Sequence, residues 1–79
     1  MNLNKFLYSV RDKLPEICSD KDLVKNLPDI FGSAPTIHRM RKKGQIPNHF
    51  VIEPFFYYLR EDVISWIRSM YKNGSLEVN

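Results

Sequence analysis

The sequence of 79 residues has one cysteine, three glycines and no long apolar run. The single cysteine, Cys18, excludes an intramolecular disulfide and any zinc site built from several cysteines. Three glycines are too few for a glycine-rich phosphate-binding loop. The longest unbroken apolar stretch, Phe55 to Leu59, is far shorter than the ~20 residues that cross a bilayer. We therefore expect a cytoplasmic protein with no membrane partner.

Residue groupings typical of catalysis and metal binding are also missing. The two histidines, His38 and His49, have no adjacent carboxylate, and Ser19 and Ser33 stand where helix caps are expected. The acids near residues 20 and 61 occupy positions where negative charge favours the start of a helix. The sequence therefore predicts a protein that is not an enzyme and that has no metal site and no cofactor.

Length and composition predict one ordinary globular domain. The chain is long enough for a single hydrophobic core. Apolar residues make up 43% of it and charged residues 27%, which is usual for folded proteins. We expect an accessory N-terminal helix in residues 1–15, a main domain in residues 16–72 and a flexible tail in residues 73–79.

The first half of the chain predicts two helices. Apolar residues recur at helical spacing from Leu3 to Leu14, and Pro15 follows them. A second helix is expected after Ser19, because Ser19 and Asp22 match a capping box, and Pro28 marks its end. Residues 29–32 are expected to form a connection with buried apolar side chains.

A third helix is predicted after Ser33, with Pro35 in its first turn and Gly44 at its C-terminal end. The β-prone runs 50–52 and 55–58 flank Glu53–Pro54 and predict a hairpin. Residues 61–73 predict a last helix. The expected fold is mainly α with a small β-hairpin.

The cations are concentrated in one segment. No acidic residue occurs between Asp29 and Glu53, and this interval holds four cations and both histidines. Such a segment in an otherwise balanced chain indicates an anionic partner, although a solvated helix face explains it equally well.

Residues 19–24, 33–47 and 62–67 together resemble the small MerR-like winged helix of phage excisionases and prophage-type regulators. In that family a Ser-capped helix is followed by S-x-x-T-[IL]-x-R-[WM]-x-K-x-G, which Ser33 to Gly44 matches, then by a two-stranded wing and a closing helix. The resemblance implies a winged helix-turn-helix, here with an extra N-terminal helix. It also implies a small DNA-binding protein of a phage or mobile element, with double-stranded DNA as partner, single-stranded DNA as a further possibility, and a possible homodimer.

The resemblance places the recognition helix between Ser33 and Lys43. Arg39 and Arg41 are the best candidates for bidentate guanine contacts. For Arg39, an ion pair with Asp22 or Asp62 is the structural alternative. The full set of expected DNA-binding residues is Ser33, Pro35, Thr36, His38, Arg39, Arg41, Lys42, Lys43 and Gln45.

Three departures from the family favour an alternative function. The segment Leu27–Gly32 is longer than the family's turn, Glu53–Pro54 replaces a Gly and basic wing tip, and the N-terminal helix is additional. Five aromatic residues fall in the wing, where strand alternation lets only about three face inward. The exposed ones favour a protein interface or base stacking. The alternative is an adaptor that binds a larger DNA-processing enzyme, such as a polymerase, primase or recombinase, through Phe6, Phe55 and Tyr57.

Overall fold

The computed structural model describes residues 3–72, a small and mostly helical fold with a three-stranded antiparallel sheet. The coarse prediction of a mainly α protein with a hairpin is confirmed, and the predicted tail lies outside the described residues. In chain order the elements are α1 (Leu3–Lys13), β1 (Ile17–Ser19), α2 (Asp20–Asn26), α3 (Pro28–Phe31), α4 (Ala34–Lys42), β2 (Phe50–Ile52), β3 (Phe55–Leu59) and α5 (Arg60–Lys72).

The sheet has β3 at its centre, between β1 and β2. On one side Val51 pairs with Phe56 in the expected hairpin. On the other side Cys18 pairs with Tyr58, so that β1 forms a third strand which the sequence does not predict. Three residues are too short for a visible alternation, and β1 is defined only by its pairing with a strand about 40 positions away.

The predicted capping box at the start of α2 is present. The Ser19 hydroxyl accepts a hydrogen bond from the Asp22 backbone N–H at 3.2 Å, and the Asp22 carboxylate accepts one from the Ser19 N–H at 3.0 Å. These two bonds satisfy backbone donors that have no partner within the helix. They fix the direction in which α2 leaves β1.

The expected connection over residues 29–32 contains the one-turn helix α3. Pro28 stands at its start, where a missing N–H costs nothing, and Gly32 ends it at φ 69°. Phe31 is fully buried and stacks on Trp66 of α5, with 5.6 Å between ring centroids. Burial of this ring ties the connection to the core.

The N-terminal helix shares the core of the main domain. Leu7 and Val10 of α1, with Leu14 just beyond it, are buried in the same cluster as Ile67 of α5. Fully burying such aliphatic side chains contributes about 1.5–3 kcal/mol each. Within residues 3–72, no helix is long and apolar enough to cross a membrane.

Candidate nucleic-acid interface

Helix α4 has one buried side and one basic side. Ile37 is fully buried and Met40 packs against the core, which fixes the rotation of the helix about its axis. Four side chains with nitrogen donors are consequently left exposed, and we call them the basic face of α4: His38, Arg39, Lys42 and Lys43. Within residues 3–72, the ion pairs of Arg11, Arg41 and Arg60 do not include any of these four side chains.

The N-terminal end of α4 carries a short chain of polar contacts. The Ser33 and Thr36 hydroxyl oxygens lie 3.3 Å apart, and Arg39 donates from Nη2 to Thr36 Oγ1 at 3.3 Å. Ser33 is the N-cap residue, as predicted, but its side chain makes no capping bond to the backbone. The alternative ion pair of Arg39 with Asp22 or Asp62 is not present. Pro35 and Gln45 are exposed at the two ends of the helix.

Arg41 points into the domain, which corrects the expectation that it lies outward with its neighbours. Its Nη2 atom lies 2.7 Å from each carboxylate oxygen of Asp20 and donates to the Tyr58 hydroxyl at 2.9 Å. The Tyr58 hydroxyl in turn donates to Asp20 at 2.7 Å. The three side chains come from α4, α2 and β3, and we call them the Asp20–Arg41–Tyr58 cluster.

The surroundings of this cluster strengthen its contacts. The Arg41 side chain is 14% exposed and Asp20 is 33% exposed, and the guanidinium lies 3.6 Å above the centre of the Phe56 ring. Burial by itself lowers the pKa of Arg41, but the hydrogen bonds with Asp20 and Tyr58 outweigh it and the pKa is raised. Burial, followed by the bond to Asp20, raises the pKa of Tyr58. Arg41 therefore holds α4 against α2 and the sheet.

Sequence reasoning missed Asp20 and Tyr58 as partners of Arg41. Asp20 is explained locally by its place at the start of α2, and Tyr58 is one of four consecutive aromatic residues. Their contact with Arg41 spans 21 and 17 positions of the chain. The sequence offers one local indication that Asp20 has a partner elsewhere. Asp20 and Asp22 both follow Ser19, and Asp22 alone satisfies the capping box.

The proposed interface aromatics differ in their exposure. Phe55 is 61% exposed, whereas Tyr57 is half-buried and stacks on Phe50 with 6.0 Å between centroids. Phe6 is half-buried and packs against the core. Tyr58 is fully buried. The structure therefore places Phe55 and Tyr57 on one strand, β3, and Phe6 on α1.

An open apolar groove of about 660 Å³ lies between α2, the start of α4 and the hairpin. Val24, Ala34 and Phe56 belong to its lining, and Pro54 and Phe55 close it at the hairpin. Two lysines of α2, at positions 21 and 25, stand at its side. Asp20, which is paired with Arg41, also belongs to the lining.

Cys18 has a structural environment. It is fully buried on β1, and its thiol donates to the Pro15 carbonyl at 3.2 Å. Burial, with a smaller effect from the Asp22 charge, raises the pKa of the thiol to about 11. A thiol held in its neutral form is a weak nucleophile. In the part of the chain that the structure describes, no three His, Cys, Asp or Glu residues are grouped so as to hold a metal ion.

Comparison of the chain with protein-family models, with curated proteins and with solved structures gives no match.

Proposed function

We propose that this protein is a winged helix-turn-helix that binds double-stranded DNA through the basic face of α4. In this assignment α2 and α4 form the helix pair, β2 and β3 form the wing, and no catalysis is involved. Together with the sequence resemblance, this suggests a cytoplasmic regulator or excision factor of a phage or mobile element.

The topology supports the fold assignment. A helix, a short strand, three helices, a hairpin and a closing helix follow one another, and the short strand pairs with the second strand of the hairpin. Helices α2 and α4 pack against each other. The connection through α3 is longer than a tight helix-turn-helix turn, and Phe31 anchors it in the core.

The single observation that carries DNA binding is the set of cations on the basic face of α4. Arg39, Lys42 and Lys43 are exposed, and no carboxylate among residues 3–72 pairs with them. A helix of nine residues is about 14 Å long and fits a major groove ~12 Å wide. The three side chains would neutralise phosphates, and Arg39 is nearest the N-terminal end that contacts base edges.

Arg41 has a different role in this proposal. Because it is held by Asp20 and Tyr58, it is a positioning residue that fixes the angle of α4 against the sheet. In this proposal Arg41 does not make the guanine contact that the sequence predicted, and it contributes to DNA binding only by orienting α4. Arg39 remains the candidate for a direct base contact.

Fluorescence anisotropy with a mixed-sequence duplex of about 20 base pairs tests the proposal. Three neutralised phosphates predict that log K falls against log salt concentration with a slope of about −3. Lys42→Ala combined with Lys43→Ala reduces the slope to about −1. A single strand of the same length is expected to bind more weakly than the duplex.

The matched control neutralises two exposed cations elsewhere, with Lys13→Ala on α1 and Arg68→Ala on α5. It lowers the net charge equally and is expected to keep the slope near −3. No retention of duplex by the wild type at low salt contradicts DNA binding. An equal loss of slope in the control contradicts the assignment to α4.

A second candidate function is that of an adaptor for a larger DNA-processing enzyme, and the apolar groove favours it. Phosphate oxygens gain nothing from a lining such as Val24, Ala34 and Phe55, whereas the apolar stripe of a partner helix does. Capture from cells that encode the protein, followed by mass spectrometry, tests this function. Val24→Asp is expected to release such a partner, while Lys42→Ala retains it. The opposite result rejects the adaptor.

A further inference from the structure

The side of the sheet opposite Phe56 and Tyr58 is apolar on all three strands. Directly paired residues share a face of an antiparallel sheet, and the register assigns six apolar residues to this side, which we call the outer sheet face: Ile17, Phe50, Ile52, Phe55, Tyr57 and Leu59. Ser19, opposite Tyr57, is polar, and its hydroxyl is already bonded to Asp22.

This face is exposed to an unusual extent for its composition. Ile52 and Phe55 are each 61% exposed and Ile17 is 54% exposed, with Phe50 and Leu59 near two-fifths. At about 150–250 Å² for each complete side chain, these five expose roughly 500 Å². A contiguous apolar patch of this size matches the largest patch of a typical monomer, and such patches are often functional.

The outer sheet face is separate from the proposed DNA interface. Phe56 and Tyr58 alternate with the residues of the outer sheet face along β3 and therefore point to the opposite side. Both contact Arg41 of α4. Arg41 of α4 thus lies on the other side of the sheet, whereas Ala34 at the start of α4 lines the apolar groove together with Phe55 and Tyr57. The outer sheet face therefore overlaps the apolar groove, and a protein bound to it leaves the basic face of α4 free.

We propose that the outer sheet face binds the same face of a second copy of this chain, forming a two-fold symmetric dimer. The six apolar residues carry no charge, so that two identical faces meet without like-charge repulsion. A symmetric contact buries this patch twice, about 1,000 Å², which reaches the size expected of a specific interface and belongs to the weak class. Two sheets packed face to face at about 10 Å bury such side chains efficiently.

The dimer goes beyond DNA binding and is tested without DNA. Sedimentation velocity is measured over concentrations up to about 0.3 mM, since an interface near the lower size limit is weak and is populated only at high concentration. The wild type is expected to reach twice 9.4 kDa. Phe55→Lys, and separately Ile17→Lys on a different strand, are expected to weaken association by at least about 100-fold, because each places a charge in the interface.

Tyr8→Lys is the matched control, because Tyr8 is a 67% exposed aromatic residue on α1. It is expected to dimerise as the wild type does, and circular dichroism verifies that all three variants are folded. High salt is expected to preserve or strengthen the dimer, as for any apolar contact. A wild type that stays monomeric throughout the concentration range overturns the proposal and leaves the face to a different protein. Folded Phe55→Lys and Ile17→Lys variants that still dimerise overturn it as well.

Discussion

Arg41 and Asp20 are joined by two contacts of 2.7 Å, although 21 positions of the chain separate them. The Tyr58 hydroxyl bonds to both side chains, so that one polar cluster links the start of α2, the last turn of α4 and the central strand. This cluster lies at the edge of an otherwise apolar core. We expect it to decide how α4 is oriented as well as how stable the domain is.

Asp20→Ala is expected to lower the free energy of unfolding by about 2 kcal/mol, since Arg41 is left largely buried without a carboxylate. The full cost of breaking a buried pair is larger, but Asp20 is 33% exposed and water compensates part of it. Urea denaturation measures the change. Arg11→Ala is the control, because its ion pair with Glu61 is exposed, and we expect a loss of at most about 0.5 kcal/mol. Equal losses in the two variants contradict the importance of the cluster.

Ser19→Ala is expected to cost about 1 kcal/mol, because the Asp22 backbone N–H loses its acceptor at the start of α2. Ser33→Ala provides the comparison at the other capping position. The Ser33 side chain makes no capping bond to the backbone, so that a smaller loss is expected there. Thermal unfolding of the two variants measures the two losses of stability. A larger loss in Ser33→Ala than in Ser19→Ala contradicts the prediction.

Gly32→Ala is expected to be more destabilising than Gly44→Ala. Both glycines have φ near 70°, a conformation that costs an L residue about 1 kcal/mol or more. At Gly32 a Cβ atom also meets Thr36 Oγ1 at 3.1 Å, whereas at Gly44 it meets nothing within 4 Å. Chemical denaturation of both variants measures the difference. Equal stabilities contradict the close approach of Gly32 to α4.

The free energy of unfolding is expected to fall as pH rises above about 9. Burial raises the pKa of Cys18 from 9.0 to about 11 and raises the pKa of Tyr58 above its ordinary 10.0. The folded chain therefore keeps protons that the unfolded chain has released. The stabilisation is complete below the unfolded pKa and is lost as pH approaches the folded pKa.

Cys18→Ala removes one of these two titrations and is expected to make the fall between pH 9.0 and about 11 shallower. Urea denaturation at a series of pH values measures the slope, which is compared with the wild type because the substitution also leaves a small cavity. Tyr8→Phe, at an exposed tyrosine, is the control. A profile of Cys18→Ala parallel to that of the wild type contradicts the role of the thiol.

Elements with local signals were predictable from the sequence. The capping box of Ser19 and Asp22, the left-handed Gly44 and the hairpin around Glu53–Pro54 each depend on residues within a few positions of one another. The outward direction of Lys42 and Lys43 follows from the helical spacing of the buried Ile37. These features made the coarse fold and most of the basic face of α4 predictable from the sequence.

The direction of Arg41 and the strand β1 were not predictable in the same way. On a helical wheel, Arg41 lies four positions from Ile37 and can join either the core side or the solvent side. The choice depends on a carboxylate and a hydroxyl that only the tertiary fold brings near. Strand β1 similarly requires the edge of β3. The sequence places four cations between Asp29 and Glu53, but Arg41 is held within the fold, so that three of them are available to a ligand.

The central strand presents apolar side chains on both sides, with Phe55 and Tyr57 on one and Phe56 and Tyr58 on the other. If the pairing of β3 shifted by one residue, the side chains on its two faces would change places. Because the two faces are similarly hydrophobic, hydrophobicity alone hardly distinguishes the correct alignment from the shifted one. The hydroxyl of Tyr58 breaks this degeneracy, because only one alignment delivers it to Asp20. The Tyr58 hydroxyl therefore favours the native alignment of β3 over its neighbour, in addition to stabilising the fold.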